Sequence, residues 1–229
     1  MSVALPVTRS VAPTLAGERP PGVDAHLAVL DVGPTERKNY EAMLLPEEIE
    51  RAGQFRFVTD AERYIVRRGK LRELLAVRLD CQPREVPLTC NGFGKPRIRS
   101  SDLQFNLSHS GGVALYVFAR DGDIGCDIEW RRPELAREEV AERFFSDREL
   151  RSLHALPHNR WVEAFFNCWT RKEAFIKALG FGVSYPLKAF DVSLAPGEPA
   201  ALLRGPLGWA LRYFEPLEDL QASIAIKEI

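Results

Sequence analysis

The chain has 229 residues, 45% hydrophobic and 28% charged, which is enough for one large domain or two small halves around a buried core. Its 31 basic and 32 acidic residues leave a formal charge of -1, which excludes a broad cationic surface for nucleic acid or anionic lipid, so any phosphate must be recognised locally. No run of about 18 apolar residues and no signal-type leader are visible, and Cys81, Cys90, Cys126 and Cys168 stand outside any metal-ligand spacing, so a soluble, cytoplasmic protein with reduced thiols is expected.

Residues 1–24 carry Pro6, Pro13, Pro20 and Pro21 among small side chains without periodicity, and read as a loosely held arm. A short strand is expected from His26 to Leu30. From Pro46 to Leu79 the pattern turns helical: Thr59 or Asp60 can cap a segment with Ile65, Leu71, Leu74 and Leu75 on its apolar side and Arg63, Arg67, Arg68 and Arg72 among them. Asn91 to Pro96 is a loop by its glycines and proline, and strands follow at Leu103 to Leu107 and Val113 to Phe118. Asp121-Gly122 is a hairpin signal leading into a strand from Ile124 to Trp130. Ser146-Asp147-Arg148-Glu149 has capping-box spacing for a short helix with Leu150 and Leu153. A long helix should span Trp161 to Leu179, stopped by Gly180 and Gly182, before strands at Ala210 to Phe214 and Ala222 to Ile226. The mixture predicts an α+β fold rather than regular βαβ alternation.

Two placements of acid are unusual. In the strand from Ile124, side chains alternate, so Ile124, Cys126, Ile128 and Trp130 share one face while Asp127 and Glu129 project together from the other. Carboxylates this close disfavour each other's ionised form unless a cation or a shared proton relieves them. In the long helix, Val162, Phe165, Trp169 and Ile176 form a stripe roughly 60° wide, and Glu173 lies beside its middle with Lys177 one turn on. A Glu173–Lys177 ion pair would answer the second anomaly alone. Three carboxylates, Asp127, Glu129 and Glu173, around one divalent cation answer both, and oxygen-only ligands suit Mg²⁺.

At this point the residues match a family. Gly125-Cys126-Asp127-Ile128-Glu129 and the run from Trp169 through Lys172, Glu173 and Ala174 to Lys177 resemble the paired signatures of surfactin-type 4′-phosphopantetheinyl transferases, G-x-D-x-E and W-x-x-K-E-(A/S)-x-x-K. Phe105-Asn106-Leu107-Ser108-His109-Ser110, Gly94-Lys95-Pro96 and Arg143-Phe144-Phe145-Ser146 resemble further shared blocks, all in the family's order between about Pro46 and Pro186. The resemblance implies a pseudo-dimeric monomer of two similar α+β halves, 25–123 binding coenzyme A and 124–229 carrying the metal site and catalytic helix, with the active site in the cleft between them. It implies transfer of the phosphopantetheine arm of coenzyme A to a serine of an apo-carrier protein (acyl, peptidyl or aryl), with Mg²⁺ and with release of 3′,5′-ADP.

By position, Asp127, Glu129 and Glu173 would hold Mg²⁺, Arg51, Lys95, Pro96, Ser108 and His109 would contact the coenzyme, and Lys177 would lie near its pyrophosphate. Glu173, or else Glu129, would act as the base, while Lys172 is expected to serve structure. Glu48 stands where many members carry a second basic residue, three positions before the one matched by Arg51. Neither nucleic acid nor membrane is an expected partner. The alternatives are a metal-dependent phosphodiesterase or nuclease, which the near-neutral charge disfavours, and a coenzyme A or carrier-binding module without chemistry.

Overall fold

In this computed structural model, which describes residues 23–120 and 122–228, the long helix runs over Trp161–Leu179 and stops at Gly180, whose φ of +73° is the left-handed conformation glycine adopts freely. In chain order the elements are β1 (Val23–Val29), α1 (Pro34–Glu41), α2 (Pro46–Gly53), α3 (Val58–Leu79), β2 (Leu88–Cys90), β3 (Pro96–Ile98), β4 (Gln104–Ser110), β5 (Val113–Ala119) and β6 (Ile124–Trp130). They continue with α4 (Glu138–Phe144), α5 (Asp147–His154), α6 (Trp161–Leu179), β7 (Asp191–Val192), β8 (Leu202–Arg204), β9 (Trp209–Leu217) and β10 (Leu220–Lys227). The fold is α+β, as the sequence implies. The arm expected over 1–24 lies outside the described residues up to residue 22, and residues 23 and 24 already belong to β1.

The described chain divides into a smaller unit, 26–87 with 112–114, and a larger one that holds most of the rest. In the smaller unit the helical region expected from Pro46 to Leu79 is made of two helices, α2 and α3. Pro46 opens α2, and the Glu48 carboxylate accepts from the Leu45 amide at 2.9 Å, closing that N-terminus. Helix α3 starts behind Phe57, which is extended at φ -110° and ψ 135°, so neither Thr59 nor Asp60 is its cap. Glu48 is buried and held by Arg72, at 2.7 and 3.0 Å, and by Arg68. Its pairing with two α3 arginines accounts for an acid at a position where the resemblance expects a base.

In the larger unit, β6, β10 and β9 form an antiparallel sheet in that order, with Ser223 opposite Asp127 and Gln221 opposite Glu129. The sheet's contacts with α6 include a buried polar ladder: Thr170 Oγ1 meets Ser223 Oγ at 2.9 Å, and Gln221 Nε2 donates to Asn167 Oδ1 at 2.8 Å. Phe145, Phe165, Phe166, Phe175, Phe190 and Leu211 fill the core around the helix. The Asp121-Gly122 signal makes no hairpin, because β5 pairs with β4 while β6 pairs with β10. Asp121 lies outside the described residues, and Gly122 turns the chain between two sheets at φ +85°.

The glycine before the paired acids has a packing cause. A Cβ on Gly125 would stand 2.2 Å from both the Ala174 carbonyl oxygen and the Ala178 amide nitrogen, so β6 and α6 meet backbone to backbone. Gly125→Ala is therefore expected to destabilise the protein by about 3 kcal/mol or more, read as a lowered urea midpoint at unchanged slope.

Candidate active site

The close approach at Gly125 turns Asp127, two residues on, toward the last turns of α6. Lys177 Nζ lies 2.6 Å from Asp127 Oδ1, which also accepts from Ser108 Oγ at 2.8 Å; Lys177 donates to that hydroxyl at 3.0 Å. Asp127 Oδ2 is buried without a partner. Burial opposes the Lys177 charge, but Asp127 outweighs it and holds the ammonium above its ordinary range.

Strand β4 reaches β6 through alternate side chains. Asn106 Oδ1 accepts from the Cys126 amide at 3.0 Å, Ser108 meets Asp127, and Ser110 Oγ donates to Glu129 Oε2 at 2.7 Å while accepting from the Trp130 amide at 3.2 Å. The period of two that aims Asp127 and Glu129 one way aims Ser108 and Ser110 at them and Asn106 at the backbone of Cys126. Neither Asn106 nor Ser110 was singled out from the sequence. Their signal was a polar residue at every second position of a strand whose other members include Phe105 and Leu107.

The Glu129 carboxyl is pushed up by burial and then by Asp127, against the opposing pull of Ser110, Lys177 and Arg132. Glu173 is half-buried and makes no hydrogen bond or ion pair among the described residues. Burial, followed by the charges of Asp127 and Glu129 and opposed by Lys177, pushes it up to about 7. The Glu173–Lys177 pair considered from helix spacing is not formed, since Lys177 reaches across to Asp127.

The three acids sense one another's charge, yet among the described residues no three His, Cys, Asp or Glu side chains are already gathered as metal ligands. The all-oxygen donor set and the partnerless Asp127 Oδ2 fit a hard cation such as Mg²⁺.

The other expected contacts are dispersed. His109 is exposed, and alternation along β4 turns it away from the Ser108 face. Pro96 opens β3, and Arg51 is exposed in the last turn of α2, in the smaller unit. Lys95 Nζ donates to the backbone carbonyls of Ile124 at 3.0 Å and Ala178 at 2.9 Å, and its burial lowers its pKa to about 8. Lys172 pairs with Glu149 inside the core, Phe145 is core as well, and Phe144 packs edge-on against Trp169. All four cysteines are free.

Asp127 and Glu129, bonded to Lys177 and to the hydroxyls of Ser108 and Ser110, thus lie together on an α+β frame. The family model of the 4′-phosphopantetheinyl transferase superfamily matches residues 123–225, and the model of the 4′-phosphopantetheinyl transferase N-terminal part matches 34–119. The chain is 36% identical over 201 residues to the 4′-phosphopantetheinyl transferase HetI of Nostoc sp., covering 86% of this chain and 84% of that protein. It is 32% identical over 160 residues to the 4′-phosphopantetheinyl transferase Sfp of Bacillus subtilis, covering 69% and 70%. It is also 37% identical over 153 residues to psf-1 of Bacillus pumilus, spanning 66% of this chain and 64% of that protein. The chain belongs to the 4′-phosphopantetheinyl transferase superfamily.

Proposed function

We propose that this protein moves the 4′-phosphopantetheine group of coenzyme A onto a serine of an apo-carrier protein, with Mg²⁺, and that it does so as a cytoplasmic monomer. The observation that carries the reading is Asp127: Oδ1 is held by Lys177 and Ser108, and Oδ2 is buried without a partner. Asp127, with Glu129 and Glu173, would hold the ion, which when bound supplies charge neutralisation at the pyrophosphate.

The chain's own groups do the rest. The carrier serine oxygen attacks the β-phosphorus, the bond to the 3′,5′-ADP oxygen breaks, and the serine proton passes to Glu173. Glu173 takes the proton directly or through a water to the extent that it is not committed to the ion, and Glu129 is the other candidate. Lys177 offers its ammonium to the departing phosphate, with the Ser108 hydroxyl beside it. None of the described helices is long and apolar enough to cross a membrane.

Intact mass of several apo-carriers after incubation with coenzyme A and Mg²⁺ tests the reading. A gain of one phosphopantetheine is expected on at least one carrier. No gain on any of them, beside cleavage of a plasmid control, would replace transfer with a phosphodiesterase activity.

The state of Glu173 has a separate readout. With the folded carboxyl at about 7 against an ordinary 4.5, the folded chain holds the proton more tightly than the unfolded one. Stability is therefore lost as pH rises from about 4.5 through about 7. In chelator-treated protein, Glu173→Gln is expected to be about 3 kcal/mol more stable than wild type at pH 8, a difference that closes below pH 4.5. Urea melts at the two pH values measure it, and equal stability at pH 8 would mean the carboxyl is not pushed up.

A further inference from the structure

The β2–β3 loop closes the end of α6. Asn91 Oδ1 accepts from the amides of Phe93 and Lys95, both at 2.9 Å, and Asn91 Nδ2 donates to the Gly180 carbonyl at 2.9 Å. A helix leaves its last four carbonyls without partners, at the end where a cation is favoured. Lys95 supplies that cation to Ala178, and the same ammonium reaches the Ile124 carbonyl. Ala178 directly follows Lys177, and Ile124 opens the strand that carries Asp127 three residues later. One side chain thus ties together the two backbone segments that bring Lys177 and Asp127 to 2.6 Å.

We propose that Lys95 is a positioning residue, setting the end of α6 against the start of β6 so that Lys177 and Glu173 stand correctly over Asp127, and that Asn91 holds Lys95 in this task. The inference rests on the transfer reaction proposed above. It replaces the expectation that Lys95 binds a phosphate of the coenzyme. Two of the three ammonium N–H groups are committed to these carbonyls, and a partly buried carbonyl left unpaired costs about 1–3 kcal/mol. A misplacement of about 1 Å at reacting groups costs on the order of a hundredfold in rate.

Steady-state kinetics of wild type, Lys95→Met and Asn91→Ala with coenzyme A varied, together with hydrogen exchange at residues 176–180, test the proposal. In Lys95→Met, kcat is expected to fall about 10- to 100-fold with KM for coenzyme A unchanged within about twofold. The exchange of the 176–180 amides should quicken in parallel. Asn91→Ala, which keeps the ammonium, should lower kcat in the same sense but by less, and it carries the readout if Lys95→Met does not fold. A KM raised tenfold with kcat retained would make Lys95 a phosphate ligand. Unchanged kcat beside a lowered melting temperature would make it a staple with no part in the reaction. Either result overturns the proposal. Wild type inactive on every carrier would instead remove the transfer reading itself.

Discussion

Asp127→Ala is expected to leave every apo-carrier at its starting mass, a loss of about three orders of magnitude or more in rate, with the fold retained. The size follows from how many groups converge on this carboxylate. Lys177 and Ser108 both address Oδ1, and Oδ2 is buried with no hydrogen-bond partner among the described residues. Removing the side chain takes away the proposed metal ligand and the anchor of Lys177 together. Asp127→Asn separates these losses. It keeps the shape and an acceptor for Lys177 but lowers the charge by one, so it should fold, bind divalent ions weakly by calorimetry and remain nearly inactive. Substantial transfer by Asp127→Asn would show that hydrogen bonding at this position, and not its charge, matters.

The largest effect on stability is expected from Lys172→Met. Lys172 and Glu149 are each 1% exposed as side chains and stand 2.8 Å apart. The ammonium also donates to the carbonyls of Leu187 at 2.7 Å and Phe190 at 2.9 Å, and lies 4.2 Å from the centre of the Phe190 ring. Glu149 in turn accepts from the amides of Ser146 and Val192, each at 2.8 Å. Methionine fills the space but leaves a buried carboxylate without its counter-ion, which costs about 3–5 kcal/mol, or roughly 10 °C in melting temperature for a chain of this length. Glu149→Gln in the same background should recover most of the loss, because it removes the stranded charge and can keep contacts with the two amides. A double variant no better than Lys172→Met would locate the cost in lysine's carbonyl bonds instead.

Much of this was legible in the letters. The bounds of α6 follow from its apolar content and Gly180, the capping box at Ser146 forms as written, and the alternation in β6 sets Asp127 and Glu129 on one side. What escaped depends on partners remote in sequence. Of the stripe formed by Val162, Phe165, Trp169 and Ile176, Phe165 and Ile176 are buried while Val162 and Trp169, like Glu173 beside them, are half-buried, and Thr170, Arg171 and Lys172 on other sides of α6 are buried too. Amphipathic periodicity identifies a buried face only when the opposite face meets water, and this helix is packed nearly all round. Its inward polar groups are satisfied by Ser223, Ser193 and Glu149, which helix spacing cannot reveal. Lys95 is a similar case: the resemblance implies a contact with the coenzyme, and the folded chain adds bonds to the carbonyls of Ile124 and Ala178 that the letters do not reveal.

The acid at position 48 also limits how this chain can change. With Arg68 and Arg72 both on its carboxylate, replacing Glu48 by a lysine would crowd three like charges into one water-poor spot. The usual basic residue is thus out of reach by a single step, and any descendant that regains it must first part with an arginine from the neighbouring helix.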